Sequence, residues 1–256
     1  MTVPTSANEL VGVDVGGSGV KAAVVDLTTG QATGRIRVPT PQPPTPDAIA
    51  TTVADLVRQL PATGAIGCTM PAVVADGVVL TATNIDKSWI GTHAEDVISR
   101  AADRPCVALN DADAAGLAEA RFGAARAHRG LVVMVTIGTG VGTALINNGV
   151  LIANSELGHI YVDDHLVDTW VSDATREAET LSWRKWTQRL ERYLTQLHEI
   201  MWPELIVIGG GIVKHADKFV DRIDADCEVR IAELGNLAGI VGAALAANDH
   251  IPAIVP

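Results

Sequence analysis

Aromatic residues make up only 4% of this 256-residue chain, too few for the stacking platforms that hold single-stranded nucleic acid. Cysteine is nearly absent. The three present, Cys68, Cys106 and Cys227, lie far apart in apolar stretches and form neither a disulfide framework nor a zinc module. They read as small buried hydrophobes in a reducing compartment. Positive charge is also short: 19 Lys and Arg against 30 Asp and Glu leave a net charge of −11. That balance opposes general binding to nucleic acid or an anionic membrane surface, and leaves room for a local basic groove. No apolar run approaches the ~18 residues of a membrane span, and the opening MTVPTSANEL lacks the pattern of a secretory leader. A cytoplasmic protein is expected, with no membrane and no nucleic acid among its partners.

Apolar residues reach 48% against 19% charged, the balance of a folded chain rather than a disordered one. Glycine, at 24 residues, exceeds its usual ~7% share, so many positions call for tight turns or close backbone approach. β-Branched runs predict strands over 10–15, 20–27 and 31–38, the first two joined by a glycine-rich turn. Over 39–46, five of eight residues are proline, too rigid for a helix or an inner strand. Asp47 is expected to cap a helix running to Leu60, with Ile49, Val53, Leu56 and Val57 on its apolar face. Strands are expected over 65–69, 78–80 and 105–109, and helices over 93–102 and 112–122.

The pattern then restarts. Strands over 131–137 and 141–147 enclose a second glycine-rich turn (TIGTGVG), and a long amphipathic helix spans 180–202. A strand over 205–208, a helix near 215–222, a strand over 227–231 and a small-residue helix over 238–248 complete the reading. Two strand–turn–strand openings about 120 residues apart predict a duplicated α/β unit. The expected boundary lies within 116–129. It separates a smaller α/β domain over 1–116, rejoined by 245–256, from a larger one over 117–244.

Asp14, Gly16, Gly17, Ser18, Gly19 and Lys21 lie in DVGGSGVK between two predicted strands. A dinucleotide fingerprint or a P-loop opens a helix with its glycines. Here the turn is a hairpin, whose bare backbone can present N–H groups to a phosphoryl group. Asp14 suits a hydrated Mg²⁺, which keeps its waters and takes one or two carboxylates, and Ser18 and Lys21 are placed to donate to phosphate. An ordinary glycine hairpin with a capping aspartate fits the same residues equally well. Gly138, Thr139, Gly140 and Gly142 repeat the arrangement in the second half. Gly209, Gly210 and Gly211 follow an apolar strand, where backbone can approach a nucleotide closely.

Asn110 and Asp111 follow a predicted strand and precede a helix. A carboxylate so placed can take the proton of a hydroxyl attacking phosphorus, or serve as an ordinary helix cap. Glu156 and His159, in SELGH, sit three apart and point the same way on a turn or short helix. Asn84 can donate and accept at once, or simply make a turn before Asp86. Lys214, His215 and Lys218 cluster after the triple glycine, and Lys185, Arg189 and Arg192 fall on one stripe of the long helix. A solvated face is the usual meaning of such charge; a groove for a linear polyanion is the sharper one.

Three glycine loops in this order, the first two in hairpins, resemble the layout of the actin-like sugar kinases. The strings DVGGSGVKAAVVD, TPQPPTP, ATNIDKSWIG, ALNDADAAGLAEARFG, VTIGTGVGTALI, SELGH, GGGIVKHADKF and NLAGIVGAA resemble the ROK (repressor, open reading frame, kinase) family over essentially the whole chain. Within it they are most similar to the bacterial glucokinases that use polyphosphate. The resemblance implies an actin-like (ribonuclease H-like) α/β fold, duplicated into two domains with a cleft between them. It implies phosphoryl transfer from polyphosphate, and also from ATP, to the 6-hydroxyl of glucose, with mannose a second candidate acceptor, Mg²⁺ as cofactor and a homodimeric assembly.

Residue roles follow from the same resemblance. Asp111 becomes the general base, and Asn84, Asn110, Asp111, Glu156 and His159 contact the sugar. Asp14, Ser18, Lys21, Thr139, Lys214 and Lys218 join the three glycine loops at phosphate or nucleotide. Ser155 stands where the family usually has glycine. The family's cysteine-rich zinc motif has no counterpart, because 162–179 contains no cysteine, so no structural zinc is expected beside His159. The carboxylate that this motif adds to the sugar site has no assignable counterpart either. TPQPPTP resembles a segment of the polyphosphate users, and with few N–H donors it is expected to shape the donor site through Thr40 and Thr45.

Other classes fit less of the pattern. Among enzymes the alternative is a strictly ATP-dependent hexokinase or amino-sugar kinase. A non-enzymatic, sugar-sensing ROK regulator needs a helix-turn-helix ahead of the first strand near Leu10, and none is expected there. An actin-like filament protein or chaperone-type ATPase leaves the Asn-Asp pair and SELGH unexplained.

Overall fold

The β-branched opening folds as a meander in the computed structural model, which describes residues 8–83 and 85–250. β1 (Glu9–Val15) pairs antiparallel with β2 (Val20–Asp26), and β2 with β3 (Ala32–Val38). Next comes α1 (Pro46–Val57). Its cap is Thr45, not the expected Asp47: the Thr45 hydroxyl accepts from Ala48 N at 3.4 Å. Pro46 occupies the first helical position, where its missing N–H costs nothing, and that puts Asp47 one residue inside the helix. The helix also ends three residues earlier than expected, because Gln59 N and Leu60 N turn to the carbonyls of Leu56 and Val57 in a tighter final turn.

β4 (Ile66–Met70), the two-residue pair β5 (Val74–Ala75) and β6 (Val78–Val79), α2 (Ala94–Ala102) and β7 (Cys106–Asn110) follow. The sheet runs in the order β3-β2-β1-β4-β7, with β1, β4 and β7 parallel. Alternate residues of a strand face opposite sides. Val11, Val13, Val15, Ile66, Cys68 and Met70 therefore form one apolar face, buried together with Ile49 and Val53 of α1 and Ile98 of α2. α3 (Asp111–Phe122) then carries the chain into a second unit, the division falling between Ala114 and Ala115.

The second unit contains β8 (Leu131–Ile137), β9 (Val141–Asn147), β10 (Val150–Ile152), the pair β11 (Tyr161–Val162) and β12 (His165–Leu166), α4 (Val167–Val171), α5 (Asp173–Ala178), α6 (Trp183–Met201), β13 (Leu205–Gly209) and β14 (Glu228–Ile231). Its sheet order is β10-β9-β8-β13-β14, with β8–β9 and β9–β10 antiparallel and β8–β13 and β13–β14 parallel. Strand for strand this repeats the first sheet, so the duplication expected from the sequence is present. The helix expected near 215–222 is instead two 3₁₀ stretches, Gly211–Lys218 and Val220–Arg222, with a kink at His215. Gly210 offers no side chain to cap an α-helix, and Phe219 is drawn into the core, its ring 5.1 Å from that of Trp186.

α6 buries Trp186, Leu190, Tyr193, Leu194 and Leu197 against Val133, Val135 and Ile137 of β8 and Ile206 and Ile208 of β13. Tyr193 is fully buried and among the described residues its hydroxyl meets no hydrogen-bond partner; burial also pushes that hydroxyl's pKa upward. An orphaned buried polar group costs ~1–3 kcal/mol. Tyr193→Phe is therefore expected to leave stability unchanged or raise it by ~1 kcal/mol in urea unfolding. A clear loss of stability in that experiment would contradict the orphan assignment.

α7 (Ala238–His250) rejoins the first unit, which resumes at Leu237, and packs on β1 and β4. It lies on the face opposite α1 and α2. Gly12 and Gly67, direct partners in the β1–β4 register, leave a groove there, and a Cβ at either would collide with the carbonyls of Ile240 and Ala243. Among the described residues no helix is long and apolar enough to cross a membrane.

Candidate functional site

In the first unit, Asp14 sits at the end of β1 on the α7 face. Its Oδ2 accepts from Lys21 Nζ at 2.8 Å and its Oδ1 from the Thr69 hydroxyl at 3.0 Å, while Thr69 Oγ1 accepts from Val15 N at 3.1 Å. Lys21 is thus turned onto Asp14. The hairpin is closed by Gly16 N donating to Gly19 O at 3.1 Å. Gly17 and Ser18 are exposed at its tip. Arg37 donates from Nη2 to Ser18 O at 3.2 Å, and a Cβ on Gly19 would stand 2.8 Å from its Nε. Arg37 was not singled out from the sequence. Its signal is register: it lies directly across from Lys21 on β3, which puts two cations beside the turn. Thr69 depends on the parallel β1–β4 pairing, and nothing local in the sequence announces it.

The proline-rich segment is tied to this turn. Thr40 donates its hydroxyl to Gly16 O at 2.5 Å, and Trp89, fully buried, donates from its ring nitrogen to Pro44 O at 3.0 Å. Both threonines thought to shape the donor site are therefore engaged, Thr40 as a prop for the turn and Thr45 as the cap of α1. A cleft of about 390 Å³ opens beside them, lined by Gly16, Gly17, Thr40, Gln42, Thr83 and Asp86 among others. Asn84 lies outside the described residues.

Asp14 fits a hydrated magnesium ion. Each of its oxygens carries one hydrogen bond and keeps a further acceptor position. Lys21 already balances its charge, and among the described residues no three His, Cys, Asp or Glu side chains gather into a metal cage. Mg²⁺ keeps several waters and takes one or two carboxylates, so a single aspartate would hold it through water.

Asn110 is buried at the end of β7. Its amide nitrogen donates to Ala72 O at 3.1 Å, and its amide oxygen accepts from Ala112 N and Asp113 N at 2.8 and 3.1 Å. The cap of α3 is therefore Asn110. Asp111 is the first helical residue, exposed, its Oδ1 accepting from Ala112 N at 2.9 Å.

In the second unit the 138–142 turn is closed by Gly138 N donating to Gly140 O at 2.9 Å, with Thr139 exposed. Asp168 of α4 grips it: Val141 N donates to Asp168 Oδ1 at 2.7 Å, and that carboxylate fills the space a Cβ on Gly140 would need. Gly210, at φ +81°, lies so close to the start of the turn that a Cβ would stand 2.5 Å from Ile137 O. The second and third glycine loops are thus one surface.

Next to them, Glu156 Oε2 meets His159 Nδ1 at 2.9 Å, both half-exposed. Ser155 Oγ donates to Thr143 O at 3.0 Å and Thr143 Oγ1 to Ser155 O at 2.9 Å. The serine departure thus locks its loop to β9. Burial pushes the Glu156 carboxyl up; His159 opposes the shift and Asp168 adds to it. Asp168 is a carboxylate beside Glu156 that sequence reading left unassigned, because α4 is five residues long and carries no periodic signal.

The basic residues divide into two groups. Arg189 pairs with Glu179 at 2.6 Å and donates to Trp170 O at 3.1 Å, and Arg192 pairs with Asp163 at 2.6 Å. Two of the three cations of the α6 stripe, Arg189 and Arg192, are thereby paired within the unit. Lys214 and Lys218 remain mostly exposed, Lys214 3.7 Å from Asp173 and Lys218 2.8 Å from its neighbour Asp217.

Residues 10–175 match the family model described as the ROK family. The chain belongs to the ROK family. This chain is 47% identical over 237 residues, 92% of its own length and 89% of the relative's, to the polyphosphate glucokinase of Mycobacterium tuberculosis. The inorganic polyphosphate/ATP-glucomannokinase from Arthrobacter sp. strain KM superposes with a TM-score of 0.90 at 43% identity, covering 94% of this chain and 99% of that one. A ROK family glucokinase from Streptomyces griseus, solved with glucose and AMPPNP, superposes with a TM-score of 0.80 at 25% identity over 94% of this chain and 99% of that one. The two mixed five-stranded sheets are thus those of the ROK sugar kinases, the actin-like fold that the glycine loops led one to expect.

Proposed function

We propose that this ROK protein phosphorylates glucose at its 6-hydroxyl, with inorganic polyphosphate and ATP as phosphoryl donors and mannose as a second acceptor. The observation that carries the reading is likeness at 43–47% identity, over more than nine-tenths of the chain, to proteins whose names specify polyphosphate. The geometry supports particular roles. Asp111, at the head of α3, takes the hydroxyl proton as the phosphorus–oxygen bond forms. Glu156 and His159 offer an acceptor and a ring nitrogen to sugar hydroxyls, and Asn110 holds the strand–helix junction that presents Asp111. The glycine turns present bare backbone to phosphate, with Lys214 and Lys218 alongside. Bound Mg²⁺ near Asp14 supplies charge neutralisation at the phosphoryl oxygens. The same reading carries a cytoplasmic homodimer without structural zinc.

The deciding assay offers glucose or mannose with ATP or long-chain polyphosphate as sole donor. Sugar phosphate formed from glucose and polyphosphate is the expected result; product with ATP alone would return the protein to the ATP-dependent hexokinases. Replacing Lys214 and Lys218 together by Ala is expected to raise KM for long polyphosphate more than for ATP, because a long polyanion engages charge beyond the reacting group. KM for glucose, which is uncharged, should barely move, and polyphosphate KM should climb steeply with salt. Equal effects on both donors would place the lysines at a shared phosphate position instead.

A further inference from the structure

We propose that Asp173 is a positioning residue for the phosphoryl donor, coupling the second glycine loop to Lys214; this rests on the donor-site reading of Lys214. Asp173 is buried, and an acidic residue beside a site for polyanions needs a reason to be there. Its backbone N donates to Gly138 O at 3.0 Å, reinforced by Ala174 N at 3.3 Å, so the 138–142 turn is anchored to the start of α5. Its carboxylate faces two cations, with Oδ1 accepting from Arg176 Nε at 2.8 Å and Oδ2 lying 3.7 Å from Lys214 Nζ. Arg176 is itself fixed, its guanidinium 4.3 Å from the Trp183 ring centre. The ring of Trp183 in turn lies 5.1 Å from that of His215, the neighbour of Lys214.

Arg176 also reaches Glu177 at 3.2 Å, so two cations stand against two carboxylates, and Lys214 is the cation exposed enough to turn to the donor. Arg176, largely buried, serves as the fixed counter-ion, and Lys214, 59% exposed, is the mobile one. The loose 3.7 Å contact restrains the lysine over the glycine loops without sealing its charge away. The carboxylate therefore acts on the donor through Lys214, by limiting where a flexible four-carbon stem can carry its ammonium.

The test is a double-mutant cycle with Asp173→Asn and Lys214→Ala, read as kcat and donor KM with polyphosphate and with ATP. Asparagine keeps the backbone bonds to Gly138 and an acceptor for Arg176, and removes only the charge. In the parent enzyme Asp173→Asn is expected to lower kcat roughly tenfold with either donor. Donor KM should not rise, since the site gains a positive charge. In the Lys214→Ala background the same change should leave kcat unaltered. A merely structural role would instead raise donor KM, lower the unfolding temperature and persist without Lys214; that pattern, or equal kcat losses in both backgrounds, would overturn the proposal. If Lys214→Ala alone moves neither donor's kcat nor KM, the donor reading of Lys214 itself has failed. Should the asparagine variant not fold, Asp173→Ser, which keeps the same backbone bonds, reports the same coupling.

Discussion

Asp111→Asn is expected to lower kcat by ~10²–10⁴, the usual worth of general-base catalysis, while sugar binding and stability stay close to those of the parent protein. The structure makes this a clean substitution. The cap of α3 is the neighbouring Asn110, whose amide oxygen takes the free N–H groups of Ala112 and Asp113, so the helix keeps its start. The bond from Ala112 N to Asp111 Oδ1 at 2.9 Å survives, because an asparagine oxygen accepts it equally well. Asp111 is exposed, so no cavity results. What disappears is the ability to take a proton. Steady-state kinetics with glucose and either donor, beside a thermal melt, measure both halves of the expectation. A loss in kcat below about tenfold would remove Asp111 from the role of base.

Gly67→Ala is expected to be among the most damaging single-methyl changes to stability, at about 3 kcal/mol or more, the upper end of ordinary overpacking. That corresponds to a fall of roughly 6–12 °C in Tm for a chain of this size, or to failure to fold. Gly67 and Gly12 face each other across β4 and β1, and α7 lies over the groove they leave. A Cβ on Gly67 would overlap the Ala243 carbonyl and stand 2.9 Å from Ala244 N. These are backbone atoms, so no rotamer change relieves the overlap, and the helix has to lift off the sheet. Gly17→Ala is the control: a Cβ there meets nothing within 4 Å, and stability should move by no more than ~0.5 kcal/mol. Equal stability of both variants in a denaturant titration would refute the close-approach argument.

Both expectations mix features written locally in the sequence with features that are not. Strands at 131–137 and 141–147 were legible to the residue, as was the hairpin at 16–19, because β-branched runs broken by glycine admit few other conformations. The long α6 was legible from its apolar spacing, and the repeat from two like openings. Boundaries set by capping chemistry were less so. Thr45 displaces Asp47 because a proline must come first in its helix, and Asn110 rather than Asp111 caps α3 because its side chain reaches two N–H groups at once.

The order Asp14, Asn110–Asp111, Glu156–His159 and three glycine loops is written in the sequence, since each is a short string whose residue types limit its chemistry. Which groups surround them was decided only by the tertiary structure. Thr69 reaches Asp14 through a parallel strand pairing across 55 positions. Asp168 reaches the second glycine turn from 27 residues away. Asp173, at the start of α5, meets Lys214 of the distant 3₁₀ stretch Gly211–Lys218. Periodicity and turn chemistry act over a handful of neighbouring residues and are readable from them. Contacts of long sequence separation exist only once the sheet order is set, and no local preference encodes that order.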